Sequence, residues 1–328
     1  FLILIFSNFK NEYKLTHLVY NPDKATNFFK DTQRIATKVF FLYIFLTGLI
    51  FTLFAISGVR LFNSFNLAMT VSSTGAFIPT NELSEIIRYS SQKIILTIAV
   101  TFSALNIYFF YSLFNNANTY KKHQEDFLIL IAIIFFSLIL FFSIKETSFL
   151  NIFLYVVSSL SNSGLTFDSP PKNFYLFFLF LTLIGGSVIS NSSGIKFLRL
   201  YILFKSTVFE IFKLVSPNVI IDQRILKTEH KINNENLNSS FFIFICFFIS
   251  IFILSSILTA GGLNFENSFK LSILTITNTV NSDLFGLEGI EFYNLLTSSK
   301  IFIILFMVIG KIELISLFLI IKKIISRN

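Results

Sequence analysis

The sequence predicts an all-α integral membrane protein made of repeated helix–pore loop–helix units around a central pore. Two observations predict it. Of the 328 residues, 54% are hydrophobic and 13% charged, against about 25% charge in an ordinary soluble domain, and apolar runs long enough to cross a bilayer recur. A three-part pattern also repeats three times: a long apolar stretch, a short apolar stretch closing on small hydroxyl residues, and a second long stretch. A membrane segment too short to cross, ending in a small-residue turn, has the form of a re-entrant pore loop. Repetition in the same order gives weight to a motif that is weak by itself.

The long elements are expected at Ile35–Ser57, Ile94–Phe114, Phe127–Ile144, Phe174–Phe204, Phe241–Ala260 and Ile301–Ile321. At 1.5 Å per residue most can cross about 30 Å of hydrocarbon. The short elements fall between them in pairs, at Phe62–Ser72, Ser148–Leu160 and Asn267–Thr277. Each is roughly three turns, about half a bilayer. Phe1–Phe6 reads as the tail of a further membrane helix, too short and lacking the basic start of a signal peptide. The domain reading is 1–34 for that tail and a cytoplasmic segment, 35–114 and 115–204 for two units, 205–239 for a cytoplasmic linker and 240–328 for a last unit. Within the linker, Val208–Val215 reads as a short amphipathic helix ended by Ser216-Pro217.

Orientation follows from the cations. Sixteen Lys and Arg lie on the side that holds Lys38, Lys121, Lys205 and Lys322, and seven on the other, among them Arg60, Lys93, Lys172 and Lys300. The rich side is expected to be cytoplasmic. That puts all three short elements on the outer side, as pore loops require. Acidic residues at an outer mouth raise the local cation concentration. Asp168 and Asp283 are the mouth candidates, each following a loop turn, although a merely soluble outer surface accounts for such acids too.

A dehydrated cation needs oxygen ligands in place of water, and backbone carbonyls in a small-residue turn supply them without trapping charge. The candidate filter residues are Ser73, Thr74 and Gly75, then Asn162, Ser163 and Gly164, then Val280, Asn281 and Ser282. Gly75 and Gly164 suit a turn whose conformation a β-carbon forbids. The short helices also aim their negative C-terminal ends at the turn.

The span Phe174–Phe204 contains Gly185, Gly186, Ser187, Ser190, Asn191, Ser192, Ser193 and Gly194 in an otherwise apolar helix. Such backbone is tolerated at membrane depth where it is buried in protein or lines a wet cavity. It reads as a gating loop, or alternatively as a kinked helix using small residues for close approach. In the last span, Lys311 and Glu313 are costly at membrane depth and must face an interior or water. Two residues apart, they do not face each other. Lys311 is expected to point into the conduit near the Gly185–Gly194 loop as an electrostatic barrier, or to join a structural ion pair.

Other classes find little support. His17, His123 and His230 lack ligand spacing, so no metal site is assigned. Cys246 stands alone in an apolar run, which leaves no disulfide framework. The cations flank apolar segments instead of forming a nucleic-acid patch. A membrane-embedded enzyme needs a buried acid–base cluster, and only Lys311 and Glu313 were available within the expected spans, so the chain is read as not an enzyme. No phosphate-binding glycine loop follows a strand, and no cofactor is expected.

The chain resembles the Trk/Ktr/HKT superfamily of potassium transporters, nearest to the bacterial TrkH-type uptake subunit. Gly185-Gly186 through Gly194-Ile195-Lys196 and Arg199 resemble the family's intramembrane gating loop. Gly310-Lys311-Ile312-Glu313 resembles its Gly-Arg-Leu-Glu signature. Val71–Phe77, Val157–Thr166 and Asn278–Phe285 resemble its second, third and fourth filter loops. The resemblance implies a four-unit pore of which the second, third and fourth units are visible here. It implies potassium as substrate at the filter residues and residence in the lipid of a bacterial plasma membrane. It further implies a homodimer with a cytoplasmic nucleotide-binding regulatory partner of the TrkA type. The absent first unit keeps a nonconducting truncated homologue as an alternative. Asn281, standing where the fourth loop carries its filter glycine, makes sodium or mixed sodium and potassium transport another. Lys311 keeps the charge of the family's Arg but not its planar fork.

Overall fold

The structure is a computed structural model. It describes residues 28–75, 77–80, 83–114, 123–144, 147–216, 232, 234–279, 283–287 and 292–312. Among the described residues all regular structure is helical. The principal helices are α1 Phe28–Ile56, α2 Leu61–Ser73, α3 Ser90–Ala104, α4 Ile107–Phe114, α5 Gln124–Ser143, α6 Phe149–Leu160, α7 Tyr175–Ile184, α8 Phe197–Val215, α9 Asn234–Ala260, α10 Phe265–Ile276 and α11 Thr297–Ile312.

Among the described residues three helices are long and apolar enough to cross a membrane: Val39–Ile56 within α1, Gln124–Ser143, and Asn236–Ala260 within α9. Each opens a unit, and each is followed after a few residues by a short helix, α2, α6 or α10. The short helix folds back against its predecessor and then meets the closing helix, so α1–α2, α5–α6 and α9–α10 all pack as neighbours. Local chemistry sets the reversals. Ser148 caps α6 by accepting from Asn151 N, and Gly58 and Gly262 take positive φ at the turns before α2 and α10.

One core runs through the three units. Phe54, Leu67, Leu96, Ile133, Tyr155, Phe178, Leu254 and Ile273 are buried in it. Phe41, Phe142 and Ile304 stay exposed on the outside of the bundle, the pattern of a protein whose outer solvent is lipid.

Two closing segments are not continuous helices. The expected span Ile94–Phe114 breaks at Leu105-Asn106, between α3 and α4. Asp126 Oδ1 accepts from Asn106 N at 2.8 Å, and Asn106 Oδ1 accepts from Tyr108 N at 2.9 Å. A side chain thus caps the new helix while a buried carboxyl satisfies the donor exposed by the break. The second discontinuity is the Gly185–Lys196 excursion between α7 and α8. Beyond it, α8 runs without interruption to Val215.

Candidate functional site

The three short helices end in one way. Thr74, Asn162 and Asn278 each adopt the left-handed conformation, with φ of 56°, 61° and 51°. The next amide in each case reaches five residues back: Gly75 N to Thr70 O at 2.9 Å, Ser163 N to Ser158 O at 3.0 Å, and Thr279 N to Leu274 O at 2.9 Å. The left-handed residue itself donates three back, to Val71, Ser159 and Thr275. This paired pattern is the Schellman stop, which satisfies carbonyls that a helix end leaves bare.

The caps give a register that differs in two ways from the one read in sequence. Gly75 does not occupy a positive-φ position; Thr74, one residue earlier, does. Gly164, with φ of 70°, does take the conformation expected of it. In the fourth unit the residues matching Asn162 and Ser163 are Asn278 and Thr279, just before the expected trio. Val280, Asn281 and Ser282 lie outside the described residues, as does Glu313. The signal for Asn278 was present in its residue type, since asparagine is enriched in left-handed caps.

Side chains join these ends. Asn162, 1% exposed, donates from Nδ2 to Thr182 O at 2.8 Å and to Thr279 Oγ1 at 3.4 Å. It therefore ties the third-unit turn to its own inner helix and to the fourth unit. Asn278 Nδ2 donates to Met307 O at 2.9 Å. Gly310 lets α11 lie directly on the Ile276 carbonyl, where a β-carbon would overlap it.

The Gly185–Lys196 excursion is closed at its neck. Ile195 N donates to Leu183 O at 3.0 Å, Lys196 N to Ile184 O at 3.0 Å, and Phe197 N to Gly186 O at 3.1 Å. The chain leaves the helix at Gly185, whose φ of 72° and contact with the Ser193 carbonyl leave no room for a side chain, and returns within hydrogen-bonding distance of its exit. Inside, Ser190 and Ser192 share a hydroxyl bond at 2.6 Å, Gly186 N donates to Ser192 Oγ at 2.9 Å, and Lys196 Nζ donates to the carbonyls of Ser190 and Ser192. The polar run is thus satisfied largely by itself, which lets it sit at membrane depth.

The tip of the excursion is Asn191. Its Nδ2 donates to Ser72 O at 2.6 Å, at the C-terminal end of α2. Its carbonyl accepts from Thr74 Oγ1 at 3.3 Å and from Lys311 Nζ at 3.0 Å. The structure thus brings the excursion, the second-unit turn and Lys311 to one point. Asp168 is instead braced outside it, accepting from Asn151 Nδ2 at 2.6 Å while its carbonyl accepts from Tyr155 Oη at 3.0 Å. Asp283 begins a one-turn helix, Asp283–Phe285.

Three further charged groups are buried. Glu125 and Asp126 are buried in the first turn of α5, with Asp126 3.1 Å from His123 Nδ1. The sequence places both just before the expected span Phe127–Ile144, whereas the helix begins at Gln124. Lys270 of α10 is also buried, over the Tyr175 ring at 5.9 Å. By hydrogen bond and charge at 2.6 Å it holds the exposed Glu266 carboxyl below its ordinary range. Among the described residues no group of three or more His, Cys, Asp or Glu could hold a metal ion.

The fold is that of an all-helical integral membrane protein. No family model matches the chain. The chain is 26% identical over 316 residues to the Trk system potassium uptake protein TrkG of Escherichia coli (strain K12), covering 90% of this chain and 62% of that protein. It is 25% identical over 289 residues to an uncharacterized cation transporter of Methanocaldococcus jannaschii, covering 84% and 57%. It thus spans about six-tenths of the length of these curated relatives. Its fold matches the crystal structure of the potassium transporter TrkH from Vibrio parahaemolyticus with a TM-score of 0.80, at 16% identity, over 97% of this chain and 68% of that one. These similarities agree with the resemblance to potassium transporters read from its motifs. The named relatives are transporters, in agreement with the reading that the chain is not an enzyme.

Proposed function

We propose that the chain supplies the second, third and fourth quarters of a pathway for monovalent cations, most directly potassium entering a bacterial cell across its plasma membrane. The observation that carries this reading is that the third- and fourth-unit short-helix ends are bonded to each other through Asn162 and Thr279, while the second-unit end is bonded to the tip of the Gly185–Lys196 excursion at Asn191. A helix C-terminus carries about half a negative charge. Three of them directed inward favour a cation over an anion. Backbone oxygens of Ser73, Thr74, Gly75, Asn162, Ser163 and Gly164 then replace the ion's water, and the fourth-unit loop through Val280, Asn281 and Ser282 completes its part of the ring. The Gly185–Gly194 loop closes the path, and Lys311 adds a positive barrier there. Asp168 and Asp283 enrich cations at the outer mouth. Potassium is the substrate.

Asn281 favours a second reading, sodium or mixed transport, since by the family resemblance it stands where the fourth filter loop carries glycine. Two partners follow from the family resemblance: a second copy of the chain and a cytoplasmic nucleotide-binding regulator of the TrkA type. The primary test is growth of a potassium-uptake-deficient bacterium on low potassium when supplied with the full gene. Rescue is expected, and its absence from a well-expressed, membrane-inserted protein overturns the reading. Uptake measured in sodium alone and in potassium alone separates the two ions.

A further inference from the structure

The gating excursion is held at two places, its tip and its base. At the base, Ser187 N donates to Ala104 O at 3.0 Å, Ile107 N donates to Ile189 O at 3.5 Å, and Val188 N donates to Glu125 Oε1 at 3.0 Å. The first two bonds come from backbone at the α3–α4 break. The third comes from a side chain on α5, the opening helix of the third unit.

A carboxyl here needs a reason. Glu125 is 7% exposed, and burying a charge or a carboxyl is costly unless it is bonded. An acid in a first turn gains from the helix dipole, but an exposed acid gains that as well. The neighbouring Asp126 already satisfies the break at Asn106. Glu125 instead accepts from the Val188 amide of the loop. Lys196 belongs to the neck of the same excursion. Two ionisable side chains thus grip one twelve-residue segment, one from inside its neck and one from outside its base.

We propose that Glu125 is the positioning residue that fixes the base of the excursion in its pore-blocking place, and that release of the Val188 amide from this carboxyl accompanies opening. The proposal rests on the transport reading above. It predicts that an acceptor at position 125 matters more than its charge, because the bond is to a backbone amide.

The test uses the full-length protein in vesicles, with Cys246→Ser and Ser190→Cys to place one thiol in the loop. Labelling by a membrane-impermeant maleimide and potassium flux are read together. Glu125→Met keeps the volume and drops the acceptor; labelling and basal flux should each rise about tenfold, the effect of losing one hydrogen bond from a closed state. Glu125→Gln keeps an acceptor oxygen and should stay within about twofold of the parent. Labelling of Glu125→Met equal to the parent overturns the proposal, and so does an equal rise in both variants. If Glu125→Met is not recovered folded, hydrogen exchange at the Val188 amide of the unaltered protein decides: protection supports the anchor, and exchange at the free-peptide rate overturns it. Absence of potassium flux in every variant with the labelling contrast intact removes the transport reading and leaves the anchor standing. Flux without the contrast does the reverse.

Discussion

The second-unit and third-unit turns end in the same cap but are held in different ways. The third-unit turn is built from its own surroundings. Ser158, Ser159, Ser161, Asn162 and Ser163 are all buried there, Ser163 Oγ bonds Ser158 and Ser161 hydroxyls at 3.2 and 3.0 Å, and Asn162 bonds an inner helix and the fourth unit. The second-unit turn leans on Asn191 of the gating excursion through Ser72 O and Thr74 Oγ1. The difference teaches that one quarter of the proposed filter is bonded to the proposed gate while another is held by its own surroundings. Moving the excursion should disturb ion binding at Thr74 and Gly75 first, and at Ser163 and Gly164 little.

The strongest way to break this contrast is at the neck. Gly185→Ala places a β-carbon against the Ser193 carbonyl at a φ of 72°, and should cost about 3 kcal/mol or more. The expected outcome is a lower unfolding temperature in detergent and a leak through the second-unit side. A variant as stable and as closed as the parent would remove the neck from the gate.

Next is Lys311→Ala. It deletes a bond from an ammonium to Asn191 O, worth about 1.5–3 kcal/mol to the closed arrangement, together with the positive charge beside the path. Basal cation flux should rise, with the potassium-to-sodium ratio changed through the second-unit turn. Unchanged flux and gating dispose of the barrier role.

The third test acts on the other side of the contrast. Asn162→Ala removes donors to Thr182 O and Thr279 Oγ1 and should destabilise by about 1–3 kcal/mol. It should alter ion preference while leaving loop accessibility, read by thiol labelling at position 190, as in the parent. A large rise in that labelling would show that the third-unit turn is coupled to the gate after all.

How much of this could be read from the chain depends on the range of the interactions. The short helices were legible because length and polarity are local properties: Phe62–Ser72, Ser148–Leu160 and Asn267–Thr277 differ from α2, α6 and α10 by a residue or two at most ends. The excursion was legible because glycine and serine interrupt an apolar run. Its neck was not, since Leu183 and Ile195 meet only through tertiary closure. The break at Leu105-Asn106 was hidden because apolar residues continue through it, and its partner Asp126 lies twenty residues away. Glu125 and Asp126 were hidden for a related reason: charges at the start of an apolar span look like its wet end until a neighbouring segment covers them. The cap register of the fourth unit was also missed. Glycine was taken as the mark of the left-handed residue, whereas Asn278, Asn162 and Thr74 hold that place.

The smallest expected effect is at Thr74, and it separates stability from coupling. A β-branched residue in the left-handed region is strained, and it persists because surrounding contacts hold it. Asn occupies the same place in the other two units, so Thr74→Asn relieves strain and should raise stability by up to about 1 kcal/mol. The same change removes the hydroxyl that reaches Asn191 O, leaving the tip held to the second-unit turn by its own amide. A protein that melts higher yet opens more readily would show that the strain at Thr74 is kept for its grip on the gate. If the variant melts higher and gates as the parent does, Thr74 contributes only a cap, and the coupling of this quarter to the excursion runs through Ser72 alone.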